Sequence, residues 1–233
     1  MINKRNMLVP VVAMSFLYGA AFAQYHIFPF NQLSILKDMV APSKPLPAFS
    51  AHYLHRKSFF EHFSSKVDIV FLGDSLTNDA EWAQMLPNIS LANHGISGDS
   101  TTGGINRLKA TIDTKPSKVF VMFGINDFRY GASVDSVFNN YQIIVHELLK
   151  NNISVYIQST LIGGEQRVKR NIKVRELNKR LQSFSTENES TTYINLNERM
   201  SVDGVLNPLF TSDGTHLNAK GYQQWKDVIY AYL

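Results

Sequence analysis

The 233-residue chain has no cysteine, which excludes disulfide staples, thiolate metal sites and a cysteine nucleophile, and leaves the cellular compartment open on that ground. Charge is sparse: 18% of residues are Asp, Glu, Lys or Arg against 44% hydrophobic, a balance suited to one substantial core. There is no internal repeat and no low-complexity tract. No cluster of histidine and carboxylate has zinc spacing, and Gly163-Gly164 lacks the surroundings of a phosphate-binding loop, so neither a metal nor a cofactor is expected. The net charge is +4 and the pI about 9.2, yet no nucleic-acid motif accompanies the basic residues, and no nucleic-acid partner is expected. Most are scattered. The exception, Arg167, Lys169, Arg170, Lys173, Arg175, Lys179 and Arg180, reads as a solvated helix face, with an anionic glycan or membrane surface as its alternative partner.

At the amino terminus, Lys4 and Arg5 precede a mostly apolar stretch, residues 7–30, long enough to cross a bilayer. Ala21-Phe22-Ala23 fits a signal-peptidase site, but apolar character resumes at Tyr25. Residues 1–30 therefore read as a signal anchor ahead of a cleaved signal peptide, with everything after residue 30 exported to the periplasm or another extracytoplasmic space and tethered to the inner membrane. Residues 31–66 read as a spacer broken by Pro42, Pro45 and Pro47, then a leading helix over 52–65 whose Tyr53, Phe59, Phe60 and Phe63 are expected to pack on a sheet. Residues 67–233 read as the folded domain.

Within the domain, strand-like and helix-like segments alternate. Apolar runs predict strands at 67–72, 89–93, 118–124, 153–158 and 192–196. Helical spacing predicts a short helix marked by Trp82, Met85 and Leu86, and further helices at 100–112, from Ser133 through Leu148, at 168–184 and at 219–233. Parallel neighbours need crossovers, so this order implies a five-stranded parallel sheet in a three-layer α/β/α domain.

Four polar blocks leave the carboxyl ends of these strands or follow the last one: GDSLT, NHGISGDST, GIND and DGTH. A serine hydroxyl needs a neighbouring base to act as a nucleophile, and histidine suits that role near neutral pH. Ser75 stands at the end of the first strand, and a spacing of three lets Asp213 orient His216 toward it. Candidate donors to an oxyanion are the Ser75 N–H at a helix start, the Gly98 N–H and the Asn126 side-chain amide. Asp74 reads as a turn-holding residue, Asp99 as the cap of the following helix, Asp127 as a turn residue and Trp82 as core. Among the other histidines only His94 lies near the site, where it reads as a packing or exposed residue.

Taken together, the four blocks resemble those of the SGNH, or GDSL, hydrolases, a family of esterases, lipases and acyl-carbohydrate deacetylases, with the likeness running from Val67 to about Tyr222. Glu81-Trp82, Asn93 to Thr101, Leu217-Asn218 and Gly221-Tyr222 resemble the branch of platelet-activating-factor acetylhydrolase catalytic subunits and bacterial sugar O-acetylesterases. Leu161-Ile162-Gly163-Gly164 departs from that branch, which often has Leu-Pro there. The resemblance implies a flavodoxin-like fold, a catalytic triad of Ser75, Asp213 and His216, and an oxyanion hole of Ser75, Gly98 and Asn126. It also implies a serine esterase acting on short acyl esters, with acetyl on a sugar or surface polysaccharide foremost. A lipid esterase or thioesterase, an envelope O-acyltransferase and a non-catalytic binding module are the alternatives. Acyl length, the alcohol and oligomeric state are not given by the motifs.

Overall fold

A computed structural model describes residues 49–233. The expected anchor or signal segment (1–30) and most of the spacer lie outside the described residues. Among the described residues no helix is long and apolar enough to cross a membrane.

Five short strands make one sheet: β1 (Ile69–Gly73), β2 (Leu91–Gly95), β3 (Lys118–Met122), β4 (Ser154–Gln158) and β5 (Thr191–Ile194). All pairings are parallel, in the order β2-β1-β3-β4-β5, with β1 paired to β2 and β3 in register from Ile69 to Gly73. β1 is buried at every position, which explains its nearly unbroken apolar run. Its alternate residues face different layers. Val70 and Leu72 join Val119, Val121, Val155 and Ile157 in one core, whereas Ile69 and Phe71 join Phe120 and Met122 in another.

The first core is covered by α7 (Val134–Lys150) and α8 (Val168–Thr186), which bury Val137, Tyr141, Ile144, Leu148, Val174, Leu177 and Leu181. Ser133 caps α7 as its sequence implies, accepting from the Ser136 N–H at 3.1 Å. The second core is covered by α2 (Ser75–Asn78), α3 (Trp82–Met85), α9 (Asn197–Met200) and α10 (Ala219–Ile229), through Leu76, Trp82, Met200 and Trp225. The result is the expected three-layer α/β/α domain, with the loops after β1, β2 and β3 at one end of the sheet.

The structure corrects several readings. The segment 100–112 is two helices, α4 (Thr101–Asn106) and α5 (Leu108–Asp113), because Arg107 turns out of the helical region at φ −118° and its side chain goes inward. The leading helix, α1 (Ala51–His62), buries Tyr53 and Phe60 beside Ile96 and Ala110, with Phe60 stacked on His94 of the edge strand β2, whereas Phe59 and Phe63 are exposed. In α8 the apolar face does not include Ile172, which is 62% exposed; Asn171 is buried instead, exchanging hydrogen bonds with both backbone groups of Gly163. Strand ends move by a few residues, most at β2, where LANHG is only half apolar. The carboxyl end of the chain closes in a 3₁₀ turn over Tyr230–Tyr232 rather than in one continuous helix. A two-stranded ribbon, β6 (Ser201–Val202) with β7 (Val205–Leu206), leads toward the DGTH loop.

Candidate active site

Ser75 follows β1 directly and opens α2, whose N-cap is Asp74; the Asp74 carboxylate accepts from the Leu76 N–H at 3.0 Å. The strand-to-helix turn leaves Ser75 8% exposed, with its Oγ 3.1 Å from His216 Nε2.

The loop carrying His216 is closed by a bridge between Thr211 and Leu217. Inside it, Asp213 Oδ1 accepts from the Thr215 and His216 N–H groups, each at 2.8 Å, and Oδ2 lies 2.7 Å from His216 Nδ1. A carboxylate only accepts, so Nδ1 carries the proton and Nε2 is left to accept from Ser75 Oγ–H. Partial burial pushes the Asp213 carboxyl upward, but the hydrogen bonds from the His216 ring and from the His216 and Thr215 backbone outweigh it and hold the group well below the usual carboxylate range. His216 and Asp213 are about half exposed, at 47% and 54% of their side-chain surface, so the base and its acid sit at the rim of an open site.

The departure at Gly163-Gly164 has a steric reason. The Gly164 N–H donates to the Gly214 carbonyl at 2.8 Å, and a Cβ on Gly164 would stand 3.0 Å from Gly214 Cα. Two glycines let the loop after β4 and the Asp213–His216 loop approach backbone to backbone. Gln166 adds a side-chain tie, donating through Nε2 to the Asp213 carbonyl at 2.7 Å.

Gly98 and Asn126 stand on the loops beside β1. Gly98 adopts φ +78°, a left-handed conformation that costs other residues, and its carbonyl accepts from the Tyr130 hydroxyl at 3.0 Å. Asn126, on α6 (Ile125–Arg129), donates through Nδ2 to the Asp99 carbonyl at 2.9 Å. That bond uses one of two amide hydrogens and fixes the direction of the other. Among the described residues neither the Ser75 N–H nor the Gly98 N–H has a protein acceptor. The structure thus brings Ser75, His216 and Asp213 together in one hydrogen-bonded line, and leaves three donors on the loops around Ser75 with capacity to spare.

One residue absent from the sequence reading, Arg107, holds these loops. Arg107 is 1% exposed and donates to Asp99 Oδ2 at 2.8 Å, to the His94 carbonyl at 2.7 Å and to the Gly73 carbonyl at 2.9 Å. Asp99 is therefore half of a buried ion pair rather than chiefly a helix cap; its other oxygen reaches only the adjacent Ser100 N–H, at 2.8 Å. The α4 amino terminus is capped from outside by Asp127, whose carboxylate accepts from the Thr101 N–H and hydroxyl. Trp82 is core, stacked on Phe71 at 3.8 Å and bonded through Nε1 to the Thr77 carbonyl at 3.0 Å. His94 is buried against the Phe60 ring with Nδ1 2.9 Å from Thr111 Oγ1, and burial, reinforced by Arg107 and Arg56, pushes its imidazole down to about 3. His52, His55, His62 and His146 are exposed.

The sequence profile of the GDSL-like Lipase/Acylhydrolase family matches residues 71–224, a span that contains Ser75, Gly98, Asn126, Asp213 and His216. The chain belongs to this family. A solved structure of a Streptococcus pneumonia protein assigned as a platelet activating factor superposes with a TM-score of 0.71 at 18% identity, covering 86% of this chain and 97% of that one. A GDSL-like lipase from Bacteroides thetaiotaomicron VPI-5482 superposes with a TM-score of 0.68 at 24% identity, covering 78% and 97%. At these identities the likeness is one of fold. Among curated proteins, the N-acylneuraminate cytidylyltransferase of Streptococcus agalactiae serotype V is 25% identical over 162 residues, which is 70% of this GDSL chain and 38% of the relative's length.

Proposed function

We propose that this protein is an exported, membrane-tethered serine esterase that removes short acyl groups, acetyl foremost, from a carbohydrate or surface polysaccharide. The observation that carries the reading is the unbroken line from Ser75 Oγ through His216, at 3.1 Å, to Asp213, at 2.7 Å. In the proposed cycle His216 Nε2 takes the Ser75 proton as Oγ attacks the ester carbonyl. The N–H groups of Ser75 and Gly98 and the second amide hydrogen of Asn126 receive the oxyanion. His216 then returns the proton to the departing alcohol oxygen. Water, deprotonated by the same imidazole, attacks the acyl-enzyme, and Ser75 is restored as the acid leaves. Asp213 keeps the imidazole oriented and stabilises it while charged.

One feature supports a small acyl group: Leu76, Phe71 and Trp82 fill the space on the core side of α2. His216 and Asp213, at an open rim, leave room for a large alcohol part. Export and tethering rest on the apolar residues 7–30 behind Lys4 and Arg5.

The test is a series of initial rates for the full chain on aryl esters from acetyl to long acyl, wild type beside Ser75→Ala. Fastest turnover on acetyl, abolished in the variant, is the expected outcome. Preference for long chains moves the substrate to a lipid ester or thioester. Turnover that does not depend on Ser75 sinks the mechanism, and no turnover on any ester favours an acyltransferase or a binding module.

A further inference from the structure

Beside the triad, between the helix that carries Asn126 and the start of α8, lies a cleft of about 460 Å³, a volume in the range of small-molecule sites. Its wall carries four cations, Arg167, Lys169, Arg170 and Lys173, against one carboxylate, Glu165. Arg129, on α6, adds a further positive charge close to Arg170. Among the described residues none of these cations forms an ion pair, although the neighbouring Arg180 on the same helix does, with Asp135. The crowding leaves two marks. Arg167 Nε is buried without a hydrogen-bond partner, and burial together with Arg167 and Arg129 lowers the Arg170 guanidinium from its ordinary value.

An ordinary solvated helix face turns such charges outward and apart. Here four of them line one concavity with an apolar floor, Phe128, over whose ring Lys173 Nζ stands at 5.8 Å while donating to the Ala132 carbonyl at 3.0 Å. The cleft is coupled to the triad through its own wall: Gln166 lines it and donates to the Asp213 carbonyl at 2.7 Å. Phe128 lies two positions after Asn126 on the same short helix. The cleft thus shares a wall residue with the loop that carries Asp213 and His216.

We propose that the cleft receives an anionic group on the alcohol part of the ester, so that the preferred substrates are acylated acidic carbohydrates rather than neutral ones. The inference rests on the esterase reading above and names the substrate class of that site. A carboxylate and a phosphate are both suited to a guanidinium pair, which binds either in a planar, two-pronged fashion. Arg170 would contribute charge-assisted hydrogen bonds, a preference of about 10- to 100-fold.

The test uses the full chain and three acetyl esters: a neutral methyl glucoside acetate, the matching methyl glucuronoside acetate and a matching glucose phosphate acetate. The quantity read is the ratio of kcat/KM on each anionic ester to that on the neutral one. Wild type is expected to favour at least one anion by tenfold or more, with the ratio falling as salt rises, and Arg170→Ala and Arg170→Gln are expected to bring it toward one. Which anion wins identifies the group. A wild-type ratio near one, or a preference unchanged in both variants and in salt, overturns the proposal. The neutral ester with Ser75→Ala reads the hydrolase mechanism separately: Ser75-dependent turnover with a ratio near one sinks the cleft alone, and no Ser75-dependent turnover on any of the three sinks both.

Discussion

The Arg107 guanidinium donates through Nη2 to the carbonyl of Gly73, 2.9 Å away and 34 positions earlier in the chain. The same group reaches His94 and Asp99, so one side chain ties together the end of β1, the end of β2 and the turn bearing Gly98. Two of the three proposed oxyanion donors thus hang from a single buried cation. Replacing Arg107 with Met leaves the Asp99 carboxylate buried and unpaired, and the expected cost is about 3–5 kcal/mol. Urea unfolding of wild type, Arg107→Met and the double variant Arg107→Met with Asp99→Asn reads it. The double variant should recover part of the loss, and a double variant no better than the single one would argue that the ion pair is not the source.

Asn126 offers a sharper test of the oxyanion hole. Its first amide hydrogen is spent on the Asp99 carbonyl and its second is free, so Asn126→Ala should lower kcat by about 10²- to 10³-fold with little change in KM. Gly98→Ala acts differently. The added Cβ has room, the nearest atom being the Tyr130 hydroxyl at 3.5 Å, but φ +78° costs an alanine about 1–2 kcal/mol. Stability should therefore fall before activity does. A kcat for Asn126→Ala within twofold of wild type would remove it from the hole.

The order of strands and helices, and the four polar blocks, were legible because a parallel sheet buried on both faces writes itself as apolar runs ending in polar turns. β1 and β3 show this directly, with Val70, Phe71, Val119 and Phe120 fully buried. Arg107 was not legible. In a helical pattern it reads as one more solvated residue, and only the fold reveals that it points toward three carbonyl and carboxylate groups from separate loops. Phe59 and Phe63 mislead in the opposite sense, since their type says core while α1 turns them to solvent. The Gly163-Gly164 pair looks like a departure in sequence, and its reason, the approach of Gly214, exists only in three dimensions. Local pattern reports burial on a strand well, and contacts between distant loops poorly.

Asp213 makes the acid side of the activity profile simple. Its carboxyl is held well below the usual range, so its ionised form contributes at every pH above the ordinary carboxylate value and is lost only as pH falls through the lowered one. Asp213 should then add no step of its own to the acid limb of the activity profile. Asp213→Asn removes the acceptor that fixes the Nδ1 proton, and kcat should fall by about 10⁴-fold. Near-normal kcat in Asp213→Asn would reassign the acid.

Asp74 and His94 set the pH dependence of stability against each other. Asp74 is 1% exposed, and burial raises its carboxyl from 3.8 to about 7 despite the Leu76 N–H; nearby Asp99, Asp127 and Asp79 add to the rise. A folded value above the unfolded one means that its contribution is whole below 3.8 and is lost as pH rises through 7. His94 has the opposite sign: its folded value of about 3 lies below 6.5, so its contribution is whole above 6.5 and is lost as pH falls toward 3. Between about pH 4 and 6.5 the two slopes oppose, with the raised Asp99 and Asp127 carboxyls on the side of Asp74. Asp74→Asn keeps an oxygen to accept from Leu76 but never has to carry a buried charge. Across that window its urea midpoint should lose less than the wild-type one as pH rises, the raised Asp99 and Asp127 carboxyls and His94 acting alike in both proteins, and at pH 8 it should exceed wild type by on the order of 4 kcal/mol, from the rise of the Asp74 carboxyl from 3.8 to about 7 at about 1.4 kcal/mol per pH unit. Parallel curves for the two proteins would mean that Asp74 does not titrate in the folded state, and the buried charge would then have to be stabilised by more than the Leu76 amide.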